Sequence, residues 1–311
     1  YVYNCVASTS YGMKHLIESQ QLDTTTIDQI FKLADKLSKK PDQCMKGKIM
    51  ASLFYESSTR TRFSFESAML RLGGGIISTE NAKDFSSASK GETLEDTIKV
   101  VNNYADVIVL RHHEIGSAKR AASVSKIPII NAGDGAGQHP TQALLDLYTI
   151  RREIGHLNGI KIAMVGDLKN GRTVRSLAYL LSKYKNIEIF FVSPKALKIG
   201  EDIKQHLDEH NIKYQELENL DPAIKVADVI YQTRIQKERF NSPREYDKYK
   251  GVYIINKDLE KKMKSDVIIM HPLPRVDEIS TEVDSSPKAV YFKQTYYGLL
   301  IRMAILNYLF N

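Results

Sequence analysis

Arg60 and Arg62 lie in the run Ser58-Thr59-Arg60-Thr61-Arg62, directly after an apolar stretch from Ile49 to Phe54 and at the head of an amphipathic segment. A strand-to-helix turn presents unpaired backbone N–H groups and the positive end of a helix dipole, which together favour an anion. Three hydroxyls and a guanidinium added to such a turn suit a doubly charged, oxygen-rich group such as phosphate, which arginine can grip bidentately. The plainer reading has Ser58 or Thr59 capping a helix and the arginines in water. Its weight depends on what the rest of the chain offers.

Four more polar clusters stand at strand-like ends or at the helix starts beyond them. Arg111-His112-His113 closes the apolar run 106–111. The segment 131–142 is a glycine-rich loop feeding a helix that starts at Pro140, and His139 and Gln142 stand three apart on its first turn. A lone histidine is more often structural, but this one has a glutamine partner beside a helix start. Gly166-Asp167-Leu168-Lys169-Asn170-Gly171-Arg172-Thr173 superficially resembles a dinucleotide fingerprint, yet the glycine spacing is wrong. The fifth cluster pairs 232–239, with Arg234 and Gln236, with His271-Pro272-Leu273-Pro274-Arg275. Its prolines either end a strand or rigidify a pocket, and Leu273-Pro274 is a candidate cis peptide.

The early clusters offer a phosphate site and polarisers for a carbonyl; the later ones offer arginines suited to carboxylates. There is no Walker A sequence, no nucleophile elbow with a Ser-His-Asp set, and no metal-ligand spacing. Residues alone therefore point to cofactor-free group transfer from a phosphorylated molecule to an acidic acceptor.

These clusters need a scaffold that ends its strands near one another. Strand-like runs at 48–54, 75–78, 106–111, 128–131, 161–166, 188–193, 228–232, 252–255 and 267–271 alternate with helical patterns. Phe65, Ala68, Met69 and Leu72 follow the spacing of one buried helix face. Alternating β and α segments predict parallel sheets covered by helices. A boundary near 155 follows a long helix over 140–154. The expected fold is α/β with two similar-sized domains, 1–150 plus 295–311 and 151–294, and an active site in the cleft between them. The stretch 299–310 is apolar nearly all round and reads as a buried helix.

The 311 residues suffice for two domains of roughly 150 residues each. No apolar run approaches the ~18 residues that span a bilayer, which argues against an integral membrane protein. The first 30 residues lack a secretory pattern, and a start at Tyr1 suggests an upstream segment out of view. Two cysteines, Cys5 and Cys44, are too few for a disulfide framework and fit a reducing compartment. The net charge of +7 is spread along the chain, largely in 36–48 and 257–264, which speaks against a nucleic-acid-binding face.

Ser58-Thr59-Arg60-Thr61-Arg62, His139-Pro140-Thr141-Gln142 and His271-Pro272-Leu273-Pro274-Arg275 together resemble the signatures of the aspartate carbamoyltransferase catalytic chain. Lys90-Gly91-Glu92-Thr93-Leu94, Gly166-Asp167-Leu168-Lys169 and the run 234–239 extend the resemblance over essentially the whole sequence. Ornithine-using relatives carry a cysteine where this chain has Pro272, so the resemblance favours aspartate.

The resemblance implies transfer of the carbamoyl group from carbamoyl phosphate to L-aspartate, the committed step of de novo pyrimidine synthesis. It implies no cofactor and no metal. It assigns carbamoyl phosphate to Ser58, Thr59, Arg60, Thr61, Arg111, His139 and Gln142, with Arg60, Thr61, Arg111 and His139 as the catalytic set. Aspartate falls to Arg172, Arg234, Gln236, Leu273 and Pro274. It further implies a homotrimer in which a loop over 84–90 of a neighbour donates Ser86, with Ser87 as the alternative, and Lys90, which serves both substrates. Phe85 in that loop suggests packing against a pyrimidine nucleotide that inhibits by feedback. Expected surroundings are the cytoplasm, or an organelle stroma if a transit segment has been removed. A non-catalytic relative would lack a site residue, and none is missing.

Overall fold

The computed structural model describes residues 13–80, 90–237, 240 and 242–310. Two compact units are built around one sheet each: one from the chain before Gln142 together with the chain from Gly298 onward, the other from Gln142 to Tyr297.

In the first unit, β1 (Ile49–Phe54), β2 (Gly75–Glu80), β3 (Val107–His112) and β4 (Ile129–Asp134) form a parallel sheet of order β2-β1-β3-β4. Helices α1 (Thr24–Lys39), α2 (Thr59–Arg71), α3 (Leu94–Val101) and α4 (Ser117–Val124) belong to the same unit. Parallel strands require crossovers, and a crossover helix must bury one stripe on the sheet. In α2 that stripe is Phe65, Ala68 and Met69, all fully buried, continued by Leu72 just past the helix end. Asp23 caps α1 by accepting from the Thr26 N–H at 2.7 Å, and Thr93 caps α3 through the Asp96 N–H at 3.1 Å.

The second unit holds β5 (Lys161–Val165), β6 (Glu188–Val192), β7 (Lys213–Leu217), β8 (Val229–Gln232) and β9 (Ile268–Met270), all parallel, in the order β7-β6-β5-β8-β9. Its longer helices are α5 (Pro140–Ile154), α6 (Arg172–Leu181) and α7 (Glu201–Glu209). The last helix, α8 (Tyr291–Phe310), starts in this unit and finishes in the first. There the Arg302 guanidinium lies 5.1 Å from the Phe65 ring centre and Asn307 donates to the Cys44 sulfur at 3.1 Å.

Eight of the expected strands are present within a few residues, and two differences have physical causes. The run 252–255 is not a strand: Ile255 makes a single bridge to Ile279, while Tyr253 and Ile255 contribute to the core from outside the ladder. Its β-branched composition reflects burial rather than pairing. Conversely, β7 was absent from the expected set because Lys213, Gln215 and Glu216 make it polar. As an edge strand it borders only β6 and has no second neighbour to demand apolar side chains.

No helix among the described residues is long and apolar enough to cross a membrane.

Candidate functional site

In each sheet the strand order reverses once. The chain moves from β1 outward to β2, then returns past β1 to β3; in the other sheet it moves from β5 through β6 to β7, then returns to β8. Such a switch point leaves a crevice at the carboxyl ends of two adjacent strands, where α/β folds bind ligands. Both switch points are occupied by polar clusters from the sequence.

At the β1/β3 switch, Phe54 pairs with Arg111, and the Tyr55 N–H donates to the Arg111 carbonyl at 2.9 Å. Arg111 is thereby fixed beside the turn that begins α2. Ser58 is the N-cap residue, extended at φ −159°, and its hydroxyl makes no capping bond. Thr59 and Arg60 are exposed, while Thr61 is buried. Arg62 faces away from this purpose, bound to Glu80 at 2.7 Å and near Glu66 at 3.7 Å. The Arg111 guanidinium lies 3.0 Å from the Glu56 carboxylate.

The glycine-rich loop after β4 comes to the same edge, because His112 pairs with Asp134. Asp134 organises that loop, accepting from the Gly116 N–H at 2.9 Å and the Gln138 N–H at 2.7 Å. Gly135, at φ +52°, lies so close to β3 that a Cβ would sit 2.5 Å from the His113 carbonyl oxygen. The loop delivers His139, which is buried, with Nδ1 3.3 Å from the Thr141 hydroxyl. If that hydroxyl donates, the ring's proton rests on Nε2.

At the β5/β8 switch, Gly166 has φ +119°, and a Cβ on it would lie 2.3 Å from the Thr233 carbonyl oxygen. Thr233 is tied to β5 through its N–H and its hydroxyl, both donating to the Val165 carbonyl at 2.8 Å. This close approach sets the loop that leads to Arg172, the first residue of α6, next to the segment carrying Arg234 and Gln236. Gln236 donates to the Asn170 carbonyl at 3.2 Å, and Asn170 in turn is held by the buried Asp167. A cavity of about 240 Å³ is lined by Arg234, Lys237, Lys250, Asp277 and Glu278.

The segment after β9, adjacent to β8, completes this edge. The Leu273-Pro274 peptide is cis, and Leu273 adopts φ +54°. His271 holds the turn: its Nδ1 accepts from the Leu273 N–H at 2.7 Å, and its Nε2 lies 2.7 Å from Glu278. Burial alone would raise the Glu278 carboxyl, but the bond to His271 and the backbone N–H of Val276 bring it below the usual range.

Gln142, in the first turn of α5, is buried and donates through Nε2 to Asp146 at 2.8 Å. Asp146 was not among the expected residues, and neither were Glu56 and Asp134. The available signal for Asp146 was an acid one turn beyond Gln142 within the apolar sequence Leu144-Leu145-Asp146-Leu147.

Lys90 is exposed, just ahead of α3. Phe85, Ser86, Ser87 and Arg239 lie outside the described residues. The fold brings His206 and Glu209 of α7 and His210, which follows it, within metal-ligand range of one another, a grouping that the sequence did not suggest.

Residues 14–152 match the profile of the aspartate/ornithine carbamoyltransferase carbamoyl-P binding domain, and residues 158–309 match the profile of the Asp/Orn binding domain. The chain is 54% identical over 305 residues to aspartate carbamoyltransferase 1, chloroplastic, of Pisum sativum, covering 96% of this chain and 79% of that protein. It is 55% identical over 300 residues to the aspartate carbamoyltransferase catalytic subunit of Methanocaldococcus jannaschii, covering 95% and 97%. The solved structure of aspartate transcarbamoylase from Trypanosoma cruzi in complex with carbamoyl phosphate and aspartate is similar at TM-score 0.91 and 40% identity, covering 96% and 97%.

Proposed function

This chain belongs to the aspartate/ornithine carbamoyltransferase family, and from that premise we infer that it joins carbamoyl phosphate to L-aspartate, releasing N-carbamoyl-L-aspartate and phosphate. The observation behind this reading is the pair of switch points: one presents hydroxyls, Arg60 and Arg111, the other Arg172, Arg234 and Gln236. The relatives named for aspartate exceed half identity, and Pro272 agrees with them.

The donor's phosphate is assigned to Ser58, Thr59, Arg60, Thr61 and Arg111, and its carbonyl oxygen to Thr61, Arg111 and His139. Gln142 accepts from the carbamoyl amino group. The α-amine of aspartate attacks the carbonyl carbon; the C–N bond forms, negative charge builds on the oxygen, and preorganised donors stabilise it. The C–O bond to phosphate then breaks, and the departing phosphate takes the amine proton, so no protein base is required. Arg172, Arg234 and Gln236 hold the acceptor's carboxylates, and the backbone at Leu273 and Pro274 shapes its pocket. Residues 1–150 with 295–311 are accordingly assigned as the carbamoyl phosphate-binding domain and 151–294 as the aspartate-binding domain.

Purified protein supplied with carbamoyl phosphate is expected to yield carbamoyl-aspartate in a colorimetric assay; product with ornithine and none with aspartate would overturn the assignment.

The active assembly is a homotrimer in which Ser86 and Lys90 of a neighbour complete each site. Mixing inactive Arg60→Ala and Lys90→Ala chains should then regenerate activity, and a mixture as inactive as its parts would exclude shared sites. A pyrimidine nucleotide whose base packs on Phe85 inhibits by feedback; inhibition unchanged in Phe85→Ala would remove that role. The compartment is the cytoplasm or an organelle stroma, and a chloroplastic relative favours the second.

A further inference from the structure

Asp146 is fully buried in the middle of α5, among leucines. Its carboxylate accepts three hydrogen bonds: from Gln142 Nε2 at 2.8 Å, Gln294 Nε2 at 2.6 Å and the Tyr231 hydroxyl at 2.6 Å. All four residues lie in one unit. Burying an acid is costly unless its oxygens are satisfied, so this hub is a deliberate investment rather than a packing accident.

Two of its arms are anchored. Tyr231 belongs to β8, and its hydroxyl is pushed well above the ordinary tyrosine range by burial and by the Asp146 charge, so it stays a donor. Gln294 turns its other end to the His271 N–H, which donates to Gln294 Oε1 at 3.0 Å. Asp146 is therefore tied to β8 through Tyr231 and, through Gln294 of α8, to His271 just after β9. Gln142 is the remaining arm.

An amide presents N–H₂ at one end and C=O at the other, and a carboxylate can only accept. Binding Nε2 to Asp146 thus fixes the orientation of the Gln142 amide and turns Oε1 away from Asp146 as an acceptor. An acceptor is what the carbamoyl –NH₂ needs, and what a methyl group of the same size cannot use.

We propose that Asp146 is a positioning residue that locks the Gln142 amide acceptor-outward and thereby sets selection of a carbamoyl over an acetyl phosphate donor. The proposal rests on the carbamoyltransferase reading, and it names the reason for donor specificity in that site. Without the lock, Gln142 can present either end, and the two donors become more nearly equivalent.

The test compares kcat/KM for carbamoyl phosphate with the inhibition constant of acetyl phosphate as a competitor, with aspartate saturating. In Asp146→Ala the preference for the carbamoyl donor is expected to fall by roughly tenfold, the worth of one well-placed hydrogen bond. Asp146→Leu, which keeps more of the volume, substitutes if the alanine variant does not fold. Asp146→Asn can keep its oxygen on Gln142 and turn its amide to the Tyr231 hydroxyl, so it should restore most of the preference. In a Gln142→Ala background, Asp146→Ala should change the preference no further. An equal loss for both donors, or a further change in that background, would overturn the proposal. A wild-type protein that forms no carbamoyl-aspartate would instead overturn the functional reading beneath it.

Discussion

Arg60 is exposed at the second position of α2, beside the buried Thr61. In the proposed reaction that difference suits them to unlike tasks, Arg60 to gripping the donor's charge and Thr61 to offering a fixed donor. Arg60→Ala removes a charge-assisted bond worth about 1.5–3 kcal/mol, with more at stake if it tightens in the transition state. Its kcat/KM for carbamoyl phosphate should drop roughly ten- to hundred-fold, and near-normal turnover in a steady-state assay would reject the phosphate assignment. Residues in continuous motifs, such as Ser58 to Thr61, were legible because their chemistry is local. Asp146, Asp134 and Glu56 were not, since each gains its meaning from a partner: Gln294 for Asp146, Gly116 for Asp134 and Arg111 for Glu56. Nothing in composition announces such a partner.

At the scale of elements, the two strand reversals explain why five dispersed clusters become two sites. Gly166 is the tightest point of this arrangement, given its left-handed φ and its contact with the Thr233 backbone. Gly166→Ala should cost about 2 kcal/mol or more and displace the segment bearing Arg234. We expect the KM for aspartate to rise several-fold while the KM for carbamoyl phosphate changes little; parallel changes in both would contradict the assignment of Arg234 to the acceptor. The alternation of strands and helices was readable from periodicity, and so was the buried face of α2. The edge strand β7 was not, because polar residues suffice where only one neighbour pairs. The β-branched run 252–255 misled for the complementary reason: it is buried without being paired.

For the whole molecule, two histidines tie stability to pH. His15 accepts the Ile129 N–H at 3.1 Å and His112 accepts the Glu114 N–H at 3.1 Å, bonds that only an unprotonated ring nitrogen can accept. Burial, reinforced by Lys14 for His15 and by His113 for His112, brings both down to about 4. Between that value and the ordinary 6.5 the unfolded chain binds more protons, so stability is complete above pH 6.5 and is lost as pH falls toward 4. Discounted for solvent screening, the loss should be on the order of 1–2 kcal/mol per histidine. Urea denaturation at a series of pH values reads it directly, and His15→Gln should flatten the curve; a stability that holds level down to pH 4.5 would contradict this account.

The most direct trial of the proposed chemistry follows the new bond itself. With carbamoyl phosphate labelled with carbon-13 and aspartate labelled with nitrogen-15, the product carbamoyl carbon should show a one-bond coupling to the aspartate nitrogen, appearing in step with inorganic phosphate. Phosphate released while the labelled carbon emerges without that coupling would mean that the donor is hydrolysed and that aspartate is not its acceptor.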